Sequence, residues 1–315
     1  MNTETEYAIE VDGLTKRYGD LLAVNDISFT VKKGEVFAFL GPNGAGKTTT
    51  VEIIETIRTP TSGKVILLGM DVTKKKRDIV QRIGVLPQGF SSFDRITVRE
   101  TIQYYSRLFS VHSDIDGLIE LVNLRDKANE QYKNLSGGLQ QRLGIAIALV
   151  NDPEVVFLDE PTTGLDPRAR REVWEVLQGL KEKGKTVFLT THYMEEAELL
   201  ADRVAIISRG KIIAMGSPRE LIANNANYQV LTLQGVDEKV FEIVRKTGFE
   251  PSLDDDSTIR VRVEQTDHVL QILNAIKAAG ATYLGLDVRK PNLEEVFLKL
   301  TGEALQENPA NRETK

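Results

Sequence analysis

Three stretches of this chain carry residue types suited to phosphate chemistry. The octapeptide Gly41-Pro42-Asn43-Gly44-Ala45-Gly46-Lys47-Thr48 has G-x-x-x-x-G-K-T spacing. It lies between the apolar run Val36–Leu40 and a helical pattern from Thr49 to Ile57, which predicts a strand, a tight glycine loop and a helix in that order. Such a loop turns consecutive backbone N–H groups inward, and the helix N-terminus adds its positive end, so phosphate oxygens suit it. Gly41, Gly44 and Gly46 leave out side chains that would crowd the cradle. Lys47 has the length to reach β and γ phosphates, and the Thr48 hydroxyl can ligate Mg²⁺. These residues imply binding of a nucleoside triphosphate.

The second stretch is Val155–Leu158 followed by Asp159, Glu160 and Pro161. An apolar run ending in two acids places carboxylates at the C-terminal edge of a parallel strand, where such sheets bind ligands. Asp159 suits magnesium coordination or its outer sphere, and Glu160 can take a proton from water attacking the γ-phosphorus. Alone, such a run reads equally well as a strand end; downstream of the glycine loop it gains meaning. The third stretch, Leu135-Ser136-Gly137-Gly138-Leu139-Gln140-Gln141-Arg142, opens a helical run through Val150 with free N–H groups and a hydroxyl. It reads either as a capped helix or as a second anion grip. One site rarely needs two γ-phosphate grips, so two chains facing one another become a natural arrangement.

The elements that must position these groups are legible in outline. Apolar runs at Ile9–Val11, Ile27–Val31, Val36–Leu40, Lys64–Leu68 and Ile83–Leu86 predict strands, and a mostly helical stretch runs from about 98 to 151. Val155–Leu158 and Thr186–Leu189 are nearly continuous apolar strands, as in a parallel sheet covered on both faces, with a crossover helix over Arg170–Glu182. Val204–Ile207 and Lys211–Ile213 flank Gly210 as a hairpin. After Asn224–Asn227 a βαβ-type unit follows: strands Tyr228–Leu233, Ile259–Val263 and Tyr283–Val288 alternate with helices Val236–Thr247, His268–Ala279 and Leu293–Leu300. Of the histidines, His112 and His268 read as structural or solvated, whereas His192 follows the strand and Thr190-Thr191.

Composition sets bounds. The 315 residues suffice for a large domain and a smaller one, and 41% hydrophobic with 27% charged residues is ordinary for a globular protein. No run reaches the roughly 18 apolar residues of a membrane span, and the N-terminus has no signal segment. The absence of cysteine excludes disulfides and thiolate chemistry and fits a reducing compartment. A formal charge of −6 argues against nucleic acid as a partner, and Lys74–Arg77, flanked by Asp71 and Asp78, reads as a solvated loop.

Together these motifs resemble those of the ATP-binding cassette subunits of membrane transporters, over about residues 5 to 220. Gly41–Thr48 is similar to the family's phosphate loop, Leu135–Arg142 to its signature and Val155–Glu160 to its acidic strand. The resemblance implies an α/β fold, a P-loop NTPase cassette with a mixed sheet core and a helical subdomain, followed by a small α+β C-terminal domain. The implied bounds are 1–223 for the cassette, with the helical subdomain at about 89–151, then 224–304 for the second domain and 305–315 for a polar tail.

Tyr18 matches the aromatic that stacks on adenine, and Gln88 the glutamine linking magnesium and attacking water to the helical subdomain. Asp166, in Gly164-Leu165-Asp166, resembles the loop that crosses the dimer interface, and His192 the γ-phosphate-sensing switch. Catalysis is thus expected from Glu160, His192 and Gln88. Nucleotide contacts fall to Tyr18, the loop from Gly41 to Thr48 with Thr49, and Ser136, Gly137, Gly138 and Asp166; magnesium falls to Thr48, Gln88 and Asp159. ATP and Mg²⁺ are the implied cofactors. Leu139 stands where the family signature has glutamine, which puts the contact with the opposed subunit in question.

The implied partners are a second copy of the cassette and separate transmembrane permease subunits, with the chain peripheral on the cytoplasmic face of the membrane. Phe90 and Phe93 fit either permease contacts or local core packing. Asp287–Gly302 resembles the closing segment of drug- or antibiotic-resistance exporter subunits. The alternatives are a soluble cassette ATPase of DNA repair or translation, which usually fuses two cassettes, and a nucleotide-regulated binding module, which would lack the catalytic carboxylate.

Overall fold

The computed structural model describes residues 6–109, 111–225, 228–236, 238–254 and 257–302, so the expected tail at 305–315 lies outside the described residues. The chain divides into two units, one through Pro218 and one from Arg219. The first opens with a hairpin of β1 (Tyr7–Tyr18) and β2 (Leu21–Lys32), then β3 (Val36–Leu40), α1 (Lys47–Ile54), β4 (Ser62–Leu67), β5 (Met70–Asp71), α2 (Lys76–Val80) and β6 (Ile83–Leu86). Next come α3 (Val98–Leu108), α4 (Ile115–Leu121) and α5 (Gly137–Ala148). The unit continues through β7 (Val155–Asp159), α6 (Pro167–Glu182), β8 (Thr186–Thr191), α7 (Met194–Leu200), β9 (Arg203–Ser208) and β10 (Lys211–Gly216).

These strands form two sheets. The order β10-β9-β3-β8-β7-β6 is parallel except for the antiparallel edge strand β10, so the core sheet is mixed. The second sheet, β2-β1-β4-β5, is antiparallel throughout. The continuous apolar runs have a simple cause: both faces of the parallel strands are covered. Val155, Phe157 and Phe188 pack on the side of the antiparallel sheet and α1, whereas Val156, Leu158, Val187 and Leu189 pack on the side of α3, α5 and α6. Phe29 of β2 is the bridge between sheets, its ring stacked 5.4 Å from Phe37 and 5.6 Å from Phe39.

β1 and β2 are each 12 residues long, well beyond the predicted Ile9–Val11 and Ile27–Val31, because bulged, half-exposed pairing continues to the hairpin turn. α6 starts at Pro167 rather than Arg170: Asp166 caps it, accepting from the N–H groups of Arg168 and Ala169 at 2.9 Å, with proline at the first helical position. Lys74 and Lys75 are tied to Asp71 and Asp78 at 3.5 and 3.6 Å.

The second unit comprises α8 (Pro218–Asn225), β11 (Gln229–Gln234), α9 (Glu238–Lys246), β12 (Pro251–Asp254), β13 (Thr258–Val263), α10 (Thr266–Ala278), β14 (Gly285–Arg289) and α11 (Leu293–Thr301). Its α+β character matches expectation, with β12 an additional strand. The order β12-β13-β11-β14 is wholly antiparallel, yet β11 and β12 run the same way with β13 between them, and β13 and β14 with β11 between them. Two split βαβ units therefore interleave, as in ferredoxin-like folds. Leu231, Leu233, Ile259, Val261 and Val263 share a core with Val240, Val244, Ile272 and Ile276 of the helices.

The segment resembling an exporter's closing sequence is a helix-starting device. Asn292 accepts from the N–H groups of Glu294 and Glu295, Glu295 accepts from the N–H of Asn292, and Arg289 clamps Glu295 at 2.6 Å. Among the described residues, no helix is long and apolar enough to cross a membrane.

Phe29 is buried and couples the sheets, so its loss should act on the whole first unit. Phe29→Ala is expected to lower stability by about 3–5 kcal/mol, read as a shift of the urea unfolding midpoint. An unchanged midpoint would show that the sheets dock without it.

Candidate functional site

Four adjacent parallel strands deliver the candidate residues to one edge. In the order β3, β8, β7, β6, their C-terminal ends lead to Gly41, His192, Asp159 with Glu160, and Gln88. The expected groups from three separate regions of the chain thus meet on Glu160. Lys47 Nζ lies 3.3 Å from Glu160 Oε1. Gln88 Nε2 and Thr163 Oγ1 each donate to Glu160 Oε2 at 3.1 Å, and His192 Nδ1 lies 3.2 Å from the same oxygen. The Glu160 N–H donates to Thr190 O and Oγ1, and Glu160 has φ of 49°, a left-handed conformation costing a non-glycine residue about 1–3 kcal/mol.

The glycines of the loop have distinct reasons. A Cβ on Gly41 would lie 2.4 Å from Ile207 O of β9, and one on Gly46, where φ is +105°, would lie 2.5 Å from Ala23 O of β2. Only Gly44 faces open space. Two of the three glycines therefore let the loop press against the protein's own backbone, a correction to the expectation that all three clear the cradle. α1 begins at Lys47 with no side chain capping its N–H groups and no acid in its first turn. Those donors suit an anion. Lys47 is buried, its ammonium donating to Gly41 O at 2.8 Å and Pro42 O at 3.3 Å. Asn43, Gly44 and Thr48 are exposed, Thr49 and Pro42 half-buried, and Ala45 buried.

Electrostatics divide the acids. Burial alone would raise the Glu160 carboxyl, but the imidazole of His192 at 3.2 Å and the charge of Lys47 outweigh it and hold it at about 2. Asp159, which accepts from Thr190 Oγ1, goes the other way: burial, aided by the neighbouring charge of Glu160, raises it. Glu55, just past α1, is also buried, and burial together with the charges of Asp159 and Glu52 pushes it up to about 8. Sequence reading gave no role to Glu55, Thr163 or Thr190, since only tertiary contact distinguishes them; the paired threonines at 162–163 and 190–191 were the visible signal.

Among the described residues no cluster of His, Asp and Glu could hold a metal unaided. The donor set of Thr48, Gln88 and Asp159 nonetheless fits Mg²⁺, which binds through few protein ligands plus substrate phosphates.

Other expected residues lie elsewhere on the first unit. Tyr18 ends β1 with its ring exposed, Lys16 Nζ 5.0 Å and Arg58 Cζ 5.7 Å from its centroid. Ser136 caps α5 by accepting from Leu139 N, and Ser136 and Gly137 are exposed. No hydrogen bond among the described residues links Ser136, Gly137 or Gly138 to the 41–48 loop. Gly138 instead allows close packing, since a Cβ would meet Ala169 Cβ at 2.7 Å. The Leu139 side chain packs against the helical core, so its identity follows from packing. Phe90 also packs on that core and meets Tyr132 edge-on, whereas Phe93 is 54% exposed against Tyr104. The two phenylalanines thus part company, one to the core and one to the surface.

The shifted acids predict a two-sided pH profile. Glu160 stays ionised in the folded state down to about 2 but protonates near 4.5 when unfolded, so its stabilisation, about 3 kcal/mol, is complete above pH 4.5 and lost as pH falls towards 2. Glu55 stays protonated in the folded state up to about 8, so stability falls as pH rises from 4.5 to 8. Urea unfolding across pH should show the acid limb flattened in Glu160→Gln and the alkaline limb flattened in Glu55→Gln. Profiles parallel to wild type would overturn these assignments.

Similarity to known proteins bears on the family. The family described as "ABC transporter" matches residues 24–163. The chain is 41% identical to the Nod factor export ATP-binding protein I of Rhizobium meliloti over 306 residues, covering 95% of this chain and 90% of that protein. It is 40% identical to the protein of the same description from Burkholderia lata, covering 95% and 98%. Among solved structures, cbiO1 from Clostridium perfringens, part of the ABC transporter complex cbiONQ, is 28% identical with a TM-score of 0.63, covering 77% of this chain and 95% of that one. An ATP-binding cassette in a dimeric post-hydrolysis state bound to ADP and Pi is 26% identical with a TM-score of 0.60, covering 66% and 98%. With the loop, acid pair and histidine meeting on one sheet edge and this likeness running nearly the length of the chain, the protein belongs to the ATP-binding cassette subunits of ABC transporters and is an ATPase of that family.

Proposed function

We propose that two copies of this chain sandwich two ATP molecules and hydrolyse them to drive export through separate permease subunits. The observation that carries the reading is the convergence of Lys47, Gln88, Thr163 and His192 on the single carboxylate of Glu160. In this reading Lys47 and the uncapped N–H groups of α1 grip the phosphates, while Tyr18 offers its exposed ring to adenine. Thr48, Gln88 and Asp159 would hold Mg²⁺, whose charge would screen the phosphate oxygens and orient them. Glu160 takes the proton of the attacking water. At about 2 its carboxyl is fully charged but a weak base. When Lys47 turns to phosphate, Glu160 loses one of the charges that depress it and its basicity rises. His192 fixes the carboxylate and senses the γ-phosphate.

Ser136 and Gly137 are exposed with no tie to the 41–48 loop of their own chain, which supports their service to a second copy. Asp166, fixed as a helix cap, holds the shape of the loop expected at that interface. The exposed pair Phe93 and Tyr104 supports a permease contact, with the chain peripheral on the cytoplasmic face. Export, rather than repair or translation, draws on the likeness to Nod factor export proteins over 95% of the chain. A drug or antibiotic cargo rests only on the closing segment, whose residues are accounted for by helix capping. The domain bounds expected at 223 and 304 carry the same reading, with ATP chemistry confined to the first domain.

Glu160→Gln is expected to lower hydrolysis by about 10²–10⁴-fold while ATP still binds, and to accumulate an ATP-dependent dimer on size-exclusion chromatography. Hydrolysis at the wild-type rate would sink the base assignment. Crosslinks joining the Lys47 and Ser136 sides only within one chain would sink the sandwich. Co-purification of a polytopic membrane protein with the tagged chain is the outcome expected for the permease; a DNA or ribosome partner would overturn it.

A further inference from the structure

Another buried carboxyl, outside the set that meets on Glu160, ties together the two segments flanking it. Glu196 lies in the first turn of α7 and is 0% exposed. Its Oε1 accepts from Thr162 Oγ1 at 2.8 Å and from Trp174 Nε1 of α6 at 3.0 Å. Thr162 precedes Thr163, the donor to Glu160, and begins the turn that ends at Asp166, the cap of α6. A parallel tie runs beside it: the Tyr193 ring centroid lies 4.2 Å from that of His192, and the Arg170 guanidinium of α6 lies 4.2 Å from the Tyr193 centroid. The loop after Glu160, the start of α6 and the segment after His192 therefore form one closed circuit of contacts.

Packing alone does not call for a carboxyl here. The buried face of α7 otherwise consists of Ala197 and Leu200, and an apolar side chain would avoid the desolvation that raises Glu196 above the usual carboxylate range. What an apolar residue could not do is accept from two donors on different elements. We propose that Glu196 is a positioning residue that locks the 162–166 loop to the His192 segment, so that the two reach Glu160 as one unit. This rests on the hydrolytic role given to Glu160.

The test uses the full chain with Glu196→Leu, Glu196→Gln and Thr162→Val. Because Trp174 is the only tryptophan, its fluorescence reports the bond directly. Glu196→Leu is expected to shift its emission, to speed hydrogen exchange at 162–166, and to lower kcat about 10- to 100-fold with KM within about twofold. Glu196→Gln keeps the accepting oxygen and is expected to keep kcat within about twofold; Thr162→Val falls between. The proposal is overturned if folded Glu196→Leu keeps the wild-type kcat, or if Glu196→Gln is as impaired as the leucine variant. Should wild type itself fail to hydrolyse ATP, the role of Glu160 falls; the exchange data still decide on Glu196, unchanged exchange at 162–166 in Glu196→Leu overturning the lock.

Discussion

The site is organised by the need to keep one buried carboxylate charged. Glu160 sits where desolvation favours its neutral form, and the structure answers with an ammonium, an imidazole, an amide and a hydroxyl from four places in the chain. Each donor arrives on a different strand end or the turn beyond it. The parallel order of β3, β8, β7 and β6 is what makes these meetings possible, because only adjacent parallel strands present their C-terminal ends side by side. The carboxylate is thus both the candidate reacting group and the point where the sheet's register is read out as chemistry.

The sheet can serve this purpose because it is buried on both faces. Alternating residues of β7 and β8 enter two separate cores, one shared with the antiparallel sheet and one with the helices. A strand fixed from both sides holds its end residues with little freedom, and the strained turn at Glu160 can persist only in such a setting. The opposite shifts of Glu160 and Asp159, adjacent in sequence, arise from the same source. Glu160 finds Lys47 and an imidazole at the edge, whereas burial dominates at Asp159, with the charge of Glu160 adding to it.

Much of this was legible before the structure. The glycine loop, the acidic pair and His192 were visible because each is joined covalently to an apolar run, so strand and site are written together. The Asp166-Pro167 start of α6 was equally readable as a cap followed by proline, yet the helix was expected only from Arg170. The lengths of β1 and β2 escaped because bulges break the alternation, and β12 because Pro251–Asp254 is short and half polar. Glu55, just past α1, and Glu196 on α7 have no local feature that sets them apart from surface acids. Their burial depends on what the rest of the chain brings over them, which local spacing does not encode.

The contacts at Gly41 and Gly46 have a consequence for how the first unit behaves as a material. The phosphate loop is wedged between Ile207 of the mixed sheet and Ala23 of the antiparallel one, with no room for a methyl group at either point. Its curvature is therefore a gauge of the gap between two sheets. A ligand gripping this loop would therefore rest on a segment packed against both sheets. The loop's shape is thus set by two carbonyls from different sheets rather than by its own residues alone.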